Sequence, residues 1–388
     1  MSSKIITLKP KIREKGFNQY VTNQNLKNNK EIFDYISNQI QNVKISDDDS
    51  KSISIILNSY KKILKDLSLH QHDYILKNQE LSELKTKTGN ELVRYLVYRY
   101  KYNKFPELKT IEDYPPNIQI EISSICNLRC VMCYQKDKTF SSKSNGYMGY
   151  MNFELFKKII DEIETKIEAV TFASRGEPTL HPELEKFLKY SEGKFLGLKL
   201  NTNATILTEK ISNILLSSDL ETLVFSIDAA NKEMYEKIRV NANFEKILKN
   251  LETFNSIRNK NYKKSKLKVR ISGVLINDEQ NLEKIKSFYK DLADEFAFVN
   301  YNPWESSYDN EINDIQEPCT DLWRRMFVWW DGKVNPCDYD YKSTLSKWNA
   351  KSLTIKNIWT SKIYQELRSK HLSKNRKEIE PCARCIAT

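Results

Sequence analysis

Three closely spaced cysteines are the residues of this chain best suited to chemistry. Cys126, Cys130 and Cys133 lie in the segment CNLRCVMC, directly after the alternating apolar stretch 118–122. Three thiolates leave one position open on a tetrahedral zinc ion, or leave one iron of a four-iron cluster without a protein ligand. No other Cys or His stands close in sequence, and structural zinc sites usually use two ligand pairs, so the spacing favours iron. The alternative is three buried cysteines acting as small apolar side chains.

The same segment resembles a known family signature. CNLRCVMC, followed by Tyr134, is similar to the CxxxCxxC motif of radical S-adenosylmethionine (SAM) enzymes. The resemblance implies that the three cysteines bind a [4Fe–4S] cluster and that the amino and carboxylate groups of SAM bind the fourth iron. It further implies that reductive cleavage of SAM yields a 5'-deoxyadenosyl radical, which abstracts a hydrogen atom from a substrate C–H bond.

Polar residues at the ends of predicted strands extend this resemblance. The segment 174–178, SRGEP, is similar to the GGEP loop that binds the SAM ammonium group in the family, although Arg175 stands where the family has its first glycine. Short polar residues follow two later strands, and NKEMYEKIR places a basic residue at a helix end. The resemblance therefore assigns SAM contacts to Tyr134, Gly176, Glu177, Asn203, Ser226, Asp228 and Arg239.

Alternation of strands and helices predicts the fold class. Strands are expected at 118–122, 168–172, 196–200, 222–227, 268–276 and 296–301, with helical patterns at 153–163, 183–190 and 244–257. This order indicates right-handed βαβ units and a parallel sheet. The family resemblance implies an α/β fold with a partial (β/α)6 TIM-type barrel, whose ligands bind at the carboxyl ends of the strands. No GxGxxG or P-loop motif supports a phosphate-binding nucleotide fold.

The other four of the seven cysteines lie near the C-terminus. Cys319, Cys337, Cys382 and Cys385 would favour a zinc ion by ligand chemistry alone. Their segment, however, resembles the SPASM domain in its shortened twitch form, which implies an auxiliary [4Fe–4S] cluster and thus two clusters in all. Asp-Gly at 331–332 predicts a β-hairpin within it. A fully ligated cluster suits electron transfer, as an oxidation would require.

The chain divides into three predicted domains. Residues 1–115 contain no cysteine and show helical spacing at 53–67 and 76–100, with a loop expected at 43–52. Residues 116–303 form the predicted barrel, and 304–388 the SPASM/twitch domain. The helical domain has two candidate roles, substrate or partner recognition and a structural cap on the barrel. For His70 and His72 there are two alternatives: they are metal ligands or general bases, or they are ordinary surface histidines.

Composition indicates the cellular compartment and the charge of the expected partners. All seven cysteines are assigned and no secretory segment is recognised, so a reducing cytoplasm is expected. No apolar stretch approaches the roughly 18 residues that span a bilayer. A net charge of +11 suits an anionic small substrate or nucleic acid, and nucleic acid is disfavoured because no RRM, OB or zinc-finger motif is present.

These observations predict a cytoplasmic radical SAM oxidoreductase that oxidises or epimerises a sugar or polyol and takes electrons from a flavodoxin- or ferredoxin-type donor. The layout is similar to that of 2-deoxy-scyllo-inosamine dehydrogenases, which oxidise a secondary alcohol. Two alternatives stay open: an enzyme that modifies ribosomal peptides, and a zinc-stabilised binding protein without catalysis. The catalytic base is unassigned; the predicted order of elements brings Asn302, Glu305, Arg324 and Tyr339 near the site.

Overall fold

Among the described residues, 28–108 form a bundle of four helices with its own core. The computed structural model describes residues 28–387, so the first 27 residues of the predicted N-terminal domain and Thr388 lie outside the described residues. The helices are α1 (Asn29–Ile40), α2 (Asp47–Leu64), α3 (Asn78–Leu84) and α4 (Gly89–Leu108). Their buried apolar residues form a cluster separate from that of the sheet.

The predicted loop at 43–52 is wrong in its second half, because α2 begins at Asp47. The Ser46 hydroxyl accepts a hydrogen bond from the backbone N–H of Asp49 at 3.2 Å and so caps the helix. Three aspartates in the first turn are favourable there because the helix N-terminus carries partial positive charge. The helical pattern at 76–100 is likewise interrupted, with α3 ending at Leu84 and α4 beginning at Gly89.

Six parallel strands form the predicted partial barrel, and the α/β fold class is confirmed. Each strand pairs with the next along the chain, so all six carboxyl ends lie at one edge of the sheet. The strands are β1 (Asn117–Ile120), β2 (Ala169–Phe172), β3 (Gly197–Thr202), β4 (Thr222–Ser226), β5 (Lys268–Leu275) and β6 (Glu295–Asn300). The intervening helices are α5 (Lys138–Ser141), α6 (Phe153–Ile163), α7 (Leu184–Tyr190), α8 (Glu209–Ser217), α9 (Lys232–Ile238), α10 (Phe244–Asn261) and α11 (Leu282–Tyr289).

The C-terminal region continues the same sheet beyond β1. Strand β7 (Arg325–Val328) pairs with β1 in parallel, and β8 (Lys333–Asn335) and β9 (Trp348–Asn349) follow in antiparallel order. The predicted hairpin is confirmed by the β7–β8 pairing, and Gly332 adopts a φ of +86° in its turn. Helices α12 (Ile355–Trp359) and α13 (Lys362–Leu372) follow and share the apolar core of the barrel.

The four N-terminal helices cover the amino ends of the strands. Arg94 on α4 forms an ion pair with Glu168, which directly precedes β2, and Lys87 pairs with Glu221, which directly precedes β4. Leu196, next to β3, packs against the apolar cluster of the bundle. The bundle therefore lies at the end of the barrel opposite to the cysteine-bearing loop. Within residues 28–387, no helix has the length and apolar character needed to cross a membrane.

Candidate active site

A cavity of about 340 Å³ lies at the carboxyl ends of the barrel strands. The loop after β1 brings the three upstream cysteines to it, and the carboxyl ends of β2, β3 and β4 contribute polar residues. Six of the seven residues expected to contact SAM lie on its wall. The expected residues on the wall are Cys126, Cys130, Cys133, Tyr134, Gly176, Glu177, Asn203, Ser226 and Arg239.

Asp228 is the expected SAM contact that does not line this cavity. It is fully buried, and its Oδ2 lies 2.7 Å from Nε of Arg239. Its Oδ1 accepts a hydrogen bond of 2.7 Å from the backbone N–H of Val274 on β5. Although burial acts to lower it, the pKa of Arg239 is raised by the Asp228 carboxylate, so the guanidinium stays charged. Asp228 therefore orients Arg239, whose Nη1 lies 4.0 Å from the Cys130 sulfur.

Glu177 is held in one orientation by the ends of β2 and β3. Its Oε1 accepts hydrogen bonds from the hydroxyls of Thr179 and Thr202, at 2.6 and 2.7 Å, and its Oε2 accepts one from the backbone N–H of Asn203 at 2.7 Å. Burial raises the pKa of Glu177, against these hydrogen bonds, which lower it. The Asn203 amide nitrogen also lies 3.8 Å from the Cys126 sulfur. The acidic group is thus fixed close to the cysteines.

Gly176 allows the loop after β2 to touch the loop after β1. A Cβ on Gly176 would lie 2.3 Å from the carbonyl oxygen of Ser123 and 2.4 Å from the carbonyl carbon of Ser124. The next residue, Glu177, donates its backbone N–H to the carbonyl of Ile125 at 2.9 Å. Because no side chain fits between these backbones, glycine is required here.

The side chains on the wall fit SAM and a cluster. A carboxylate at Glu177 and a guanidinium at Arg239 match the ammonium and carboxylate of an amino acid, and three thiols suit iron. Two buried polar atoms on the wall, Ser174 Oγ and Asn201 Oδ1, have no hydrogen-bond partner in the protein, which is costly unless a ligand supplies one. Burial raises the pKa of the Cys126 thiol to about 12, so metal binding must displace its proton.

Metal geometry distinguishes single ions from clusters. Across the described part of the chain, no three His, Cys, Asp or Glu side chains come close enough together to bind one metal ion. In a [4Fe–4S] cluster, by contrast, each cysteine thiolate binds a different iron atom of the cluster, so the thiolates need not meet at one ion. His70 and His72 are both exposed, in the segment between α2 and α3, and lie outside this cavity.

The four C-terminal cysteines also come together. Burial and the nearby thiols of Cys385 and Cys319 raise the pKa of both Cys337 and Cys382. Arg376 fixes the last turn, because its guanidinium donates to the carbonyls of Cys382 and Cys385 at 3.2 and 2.5 Å. On the other side, the backbone N–H of Cys319 donates to Nδ1 of buried His371 at 3.2 Å, and burial lowers the His371 pKa to about 3.

The loop that carries Cys337 reaches the wall of the same cavity. Asp338 and Tyr339 both line it, and the Tyr339 ring packs edge-on against Trp304, another wall residue, with centroids 6.2 Å apart. Asp338 and Trp304 were missed by sequence reasoning; adjacency to Cys337 was the available signal for Asp338. The cavity is therefore lined by the three upstream cysteines and by the two residues that follow Cys337.

The four residues expected near the site, in the region of the unassigned base, lie in different places in the structure. Tyr339 lies on the wall, and its hydroxyl accepts a hydrogen bond from the Asn302 amide at 3.1 Å. Glu305 accepts a short hydrogen bond from the Tyr301 hydroxyl and is not on the wall. Arg324 precedes β7 at the opposite end of the barrel, 5.1 Å from the Tyr102 ring centroid on α4.

Comparison with known families agrees with this arrangement. A model of the radical SAM superfamily matches residues 120–289, and a model of an iron–sulfur cluster-binding domain, SPASM, matches residues 319–386. The chain is a radical SAM protein with a SPASM domain. These two domains imply [4Fe–4S] clusters and SAM as cofactors.

Curated relatives of this radical SAM protein match over part of their length. The tungsten-containing aldehyde ferredoxin oxidoreductase cofactor-modifying protein of Pyrococcus furiosus is 31% identical, over 29% of this chain and 30% of the relative. Mycofactocin maturase MftC of Mycolicibacterium smegmatis is 26% identical, over 56% of this chain and 52% of the relative. The chain thus spans about half or less of the length of the curated relatives that it matches first.

One solved structure illustrates the shared fold. The crystal structure of Streptococcus suis SuiB bound to the precursor peptide SuiA aligns with a TM-score of 0.54 and 17% identity, covering 82% of this chain and 79% of that chain. At this level of identity, the similarity concerns the fold alone.

Proposed function

We propose that this radical SAM protein oxidises a hydroxyl-bearing carbon of a small sugar- or polyol-type substrate. The observation that carries the proposal is the shared cavity, which is lined by Cys126, Cys130 and Cys133 and also by Asp338 and Tyr339, the residues that follow Cys337. An oxidation needs a site for hydrogen-atom abstraction and a second site that removes an electron. A substrate in this cavity would be in reach of both.

When bound, the clusters and SAM supply a 5'-deoxyadenosyl radical that takes the hydrogen atom from carbon, and an acceptor for the electron that the substrate must then lose. The protein's own part is positioning and proton transfer. Arg239 and Glu177 hold the carboxylate and ammonium groups of SAM, and Asn203, Ser226 and Tyr134 complete the wall around it. A reductant of the flavodoxin or ferredoxin type starts each cycle.

Asp338 is our candidate for the catalytic base. The wall has two carboxylates, Glu177 and Asp338, and the proposal already assigns Glu177 to the SAM ammonium group. In this oxidation the substrate would lose a hydrogen atom from carbon to the adenosyl radical and a proton from its hydroxyl group to Asp338. It would also lose one electron to the auxiliary cluster. The carbonyl product then balances in atoms and charge.

Two aromatic residues on the wall suit a sugar-type substrate. Trp304 and Tyr339 pack edge-on and form an apolar corner against which a sugar ring can pack. The protein has a net charge of +11, which favours an anionic substrate. A phosphorylated or nucleotide-linked sugar would be such a substrate.

The test uses anaerobically reconstituted protein with dithionite and SAM. We expect 5'-deoxyadenosine with wild type and none with Cys130→Ala. With a library of aminocyclitols and sugar phosphates, the active compound should yield a carbonyl product, and Asp338→Asn should slow product formation at least tenfold while sparing SAM cleavage. If peptides from a library are modified and no polyol is, the substrate is a peptide and the proposed sugar or polyol class is wrong. Absence of 5'-deoxyadenosine under all conditions would refute the radical chemistry.

A further inference from the structure

Arg175 is a buried residue that the proposed chemistry does not use directly. It is 2% exposed, lies in the loop after β2, and directly precedes Gly176. On its other side, Ser174 adopts a φ of +144°, a conformation that residues with a side chain rarely adopt. Such backbone persists only where surrounding contacts hold it. The contacts of Arg175 are therefore candidates for holding the SAM-binding loop in place.

The first contact ties this loop to the end of β1. The Arg175 guanidinium forms a two-pronged ion pair with Glu121, with Nε 2.7 Å from Oε2 and Nη2 2.5 Å from Oε1. The Arg175 backbone N–H also donates to Oε2 at 3.1 Å. The Glu121 side chain is fully buried, so leaving either charge without the other would be costly.

The second set of contacts reaches the SPASM region. The Nη1 group donates to the backbone carbonyl of Tyr341 at 2.7 Å, and Tyr341 lies four residues beyond Cys337. The guanidinium plane also packs on Trp329, with its central carbon 4.1 Å from the ring centroid. Trp329 lies between β7 and β8. One side chain thus joins the ends of β1 and β2 to the loop that bears Cys337 and Asp338.

We infer that Arg175 is a positioning residue that fixes the loop of Cys337 and Asp338 relative to the SAM-binding loop of Gly176 and Glu177. This inference rests on the proposed function for its catalytic meaning, since the substrate must meet both loops at once. Lysine could keep the positive charge, but its single ammonium cannot make the fork to Glu121 and also reach the Tyr341 carbonyl. The matched control is Arg270, a buried arginine away from both loops whose Nε and Nη2 both donate to Oε2 of Glu295, at 2.9 and 2.7 Å.

The experiment compares Arg175→Lys and Arg270→Lys in the reconstituted full chain by amide hydrogen exchange without SAM. We expect segments 173–177 and 337–341 to exchange at least about tenfold faster in Arg175→Lys, and only β5 and β6 to change in Arg270→Lys. Equal protection of both loops in wild type and Arg175→Lys would overturn the inference. So would faster exchange at 173–177 with 337–341 unchanged.

A second readout links the position of the loops to SAM. The Kd for SAM should rise about tenfold in Arg175→Lys, and the SAM-induced change in the EPR spectrum of the reduced cluster should shrink, while Arg270→Lys behaves as wild type. If Arg175→Lys does not fold, Trp329→Leu removes the ring beneath the guanidinium and keeps the Glu121 pair. It should accelerate exchange in the same two segments, and unchanged exchange there would overturn the inference. Because exchange is read without SAM, it tests Arg175 even if no SAM cleavage is found.

Discussion

The Asp228 carboxylate stands behind the Arg239 guanidinium, with Oδ2 and Nε 2.7 Å apart and Asp228 outside the cavity. The two residues come from different loops, one after β4 and one after α9. Their ion pair holds Arg239 with its Nη1 4.0 Å from the Cys130 sulfur.

The first prediction concerns this pair. Asp228→Asn should raise the Kd for SAM about 10- to 100-fold, because Arg239 loses a charged partner while the volume of the side chain is unchanged. Iron content should stay at the wild-type value, as no cysteine is touched. Equilibrium dialysis with labelled SAM measures the Kd, and Glu295→Gln, which alters the remote pair with Arg270, is the control. A wild-type Kd in Asp228→Asn would show that Arg239 needs no such support.

Gly176→Ala should abolish SAM binding with little loss of iron. The added methyl group would lie 2.3 Å from the Ser123 carbonyl, so the loop after β2 must shift and carry Glu177 away. Gly197→Ala is the control, since its Cβ would come no closer than 3.3 Å to any atom. The measurement is the EPR change on adding SAM to the reduced protein. Retention of that change in Gly176→Ala would contradict the tight contact.

Replacing one cysteine from each group should remove different functions. Cys130→Ala and Cys337→Ala should each lower bound iron from about eight to about four atoms per chain, because each group is proposed to hold one four-iron cluster. Only Cys130→Ala should lose 5'-deoxyadenosine formation, whereas Cys337→Ala should form it without substrate oxidation. Iron analysis and chromatography of the products test this. Loss of all iron in either variant would indicate that the two sites are not independent.

Glu80→Gln should destabilise the N-terminal bundle by about 3–5 kcal/mol. The buried Glu80 carboxylate accepts hydrogen bonds from Arg99 and Asn103 and from the Tyr74 hydroxyl. Although burial acts to raise it, Arg99 and these bonds lower the Glu80 pKa below 4.5. Its stabilisation is therefore complete above pH 4.5 and is lost as the pH falls through the lower folded pKa.

Urea unfolding at pH 7 and at lower pH measures this effect. As the pH is lowered, the free energy of unfolding should fall faster for wild type than for Glu80→Gln. The plots of unfolding free energy against pH should therefore converge. Parallel curves would exclude Glu80 as the group responsible. Arg94→Gln is a suitable comparison, because its pair with Glu168 is partly exposed and should contribute at most about 1 kcal/mol.

Local patterns were sufficient for the barrel and for most of the wall. Each predicted strand overlaps an observed one, because parallel strands buried on both faces read as apolar runs. The cysteines and the GEP segment are short motifs whose residues lie side by side in sequence. Their neighbours on the wall followed from the rule that strand ends meet at one edge.

The remaining features depend on contacts between distant segments. Asp338 reaches the cavity only because β7 pairs with β1, some 200 residues earlier in the chain. Likewise, the position of Asp228 behind Arg239 could not be read from sequence, since either residue alone looks suited to touch SAM. The start of α2 differs from the prediction for another reason: the polar run 43–52 predicts a loop, but its three aspartates form a first helical turn, where acidic residues are favoured.

The parallel pairing of β7 with β1 also limits how this protein can be re-engineered. Asn117 stands opposite Arg325 and Ile120 opposite Val328, so the C-terminal module is joined edge to edge with the first strand. A chimera that exchanges this module for that of a relative must preserve the interlocking of those two strands. A graft displaced by one residue would turn the side chains of β7 to the other face and move the Cys337 loop away from its partner.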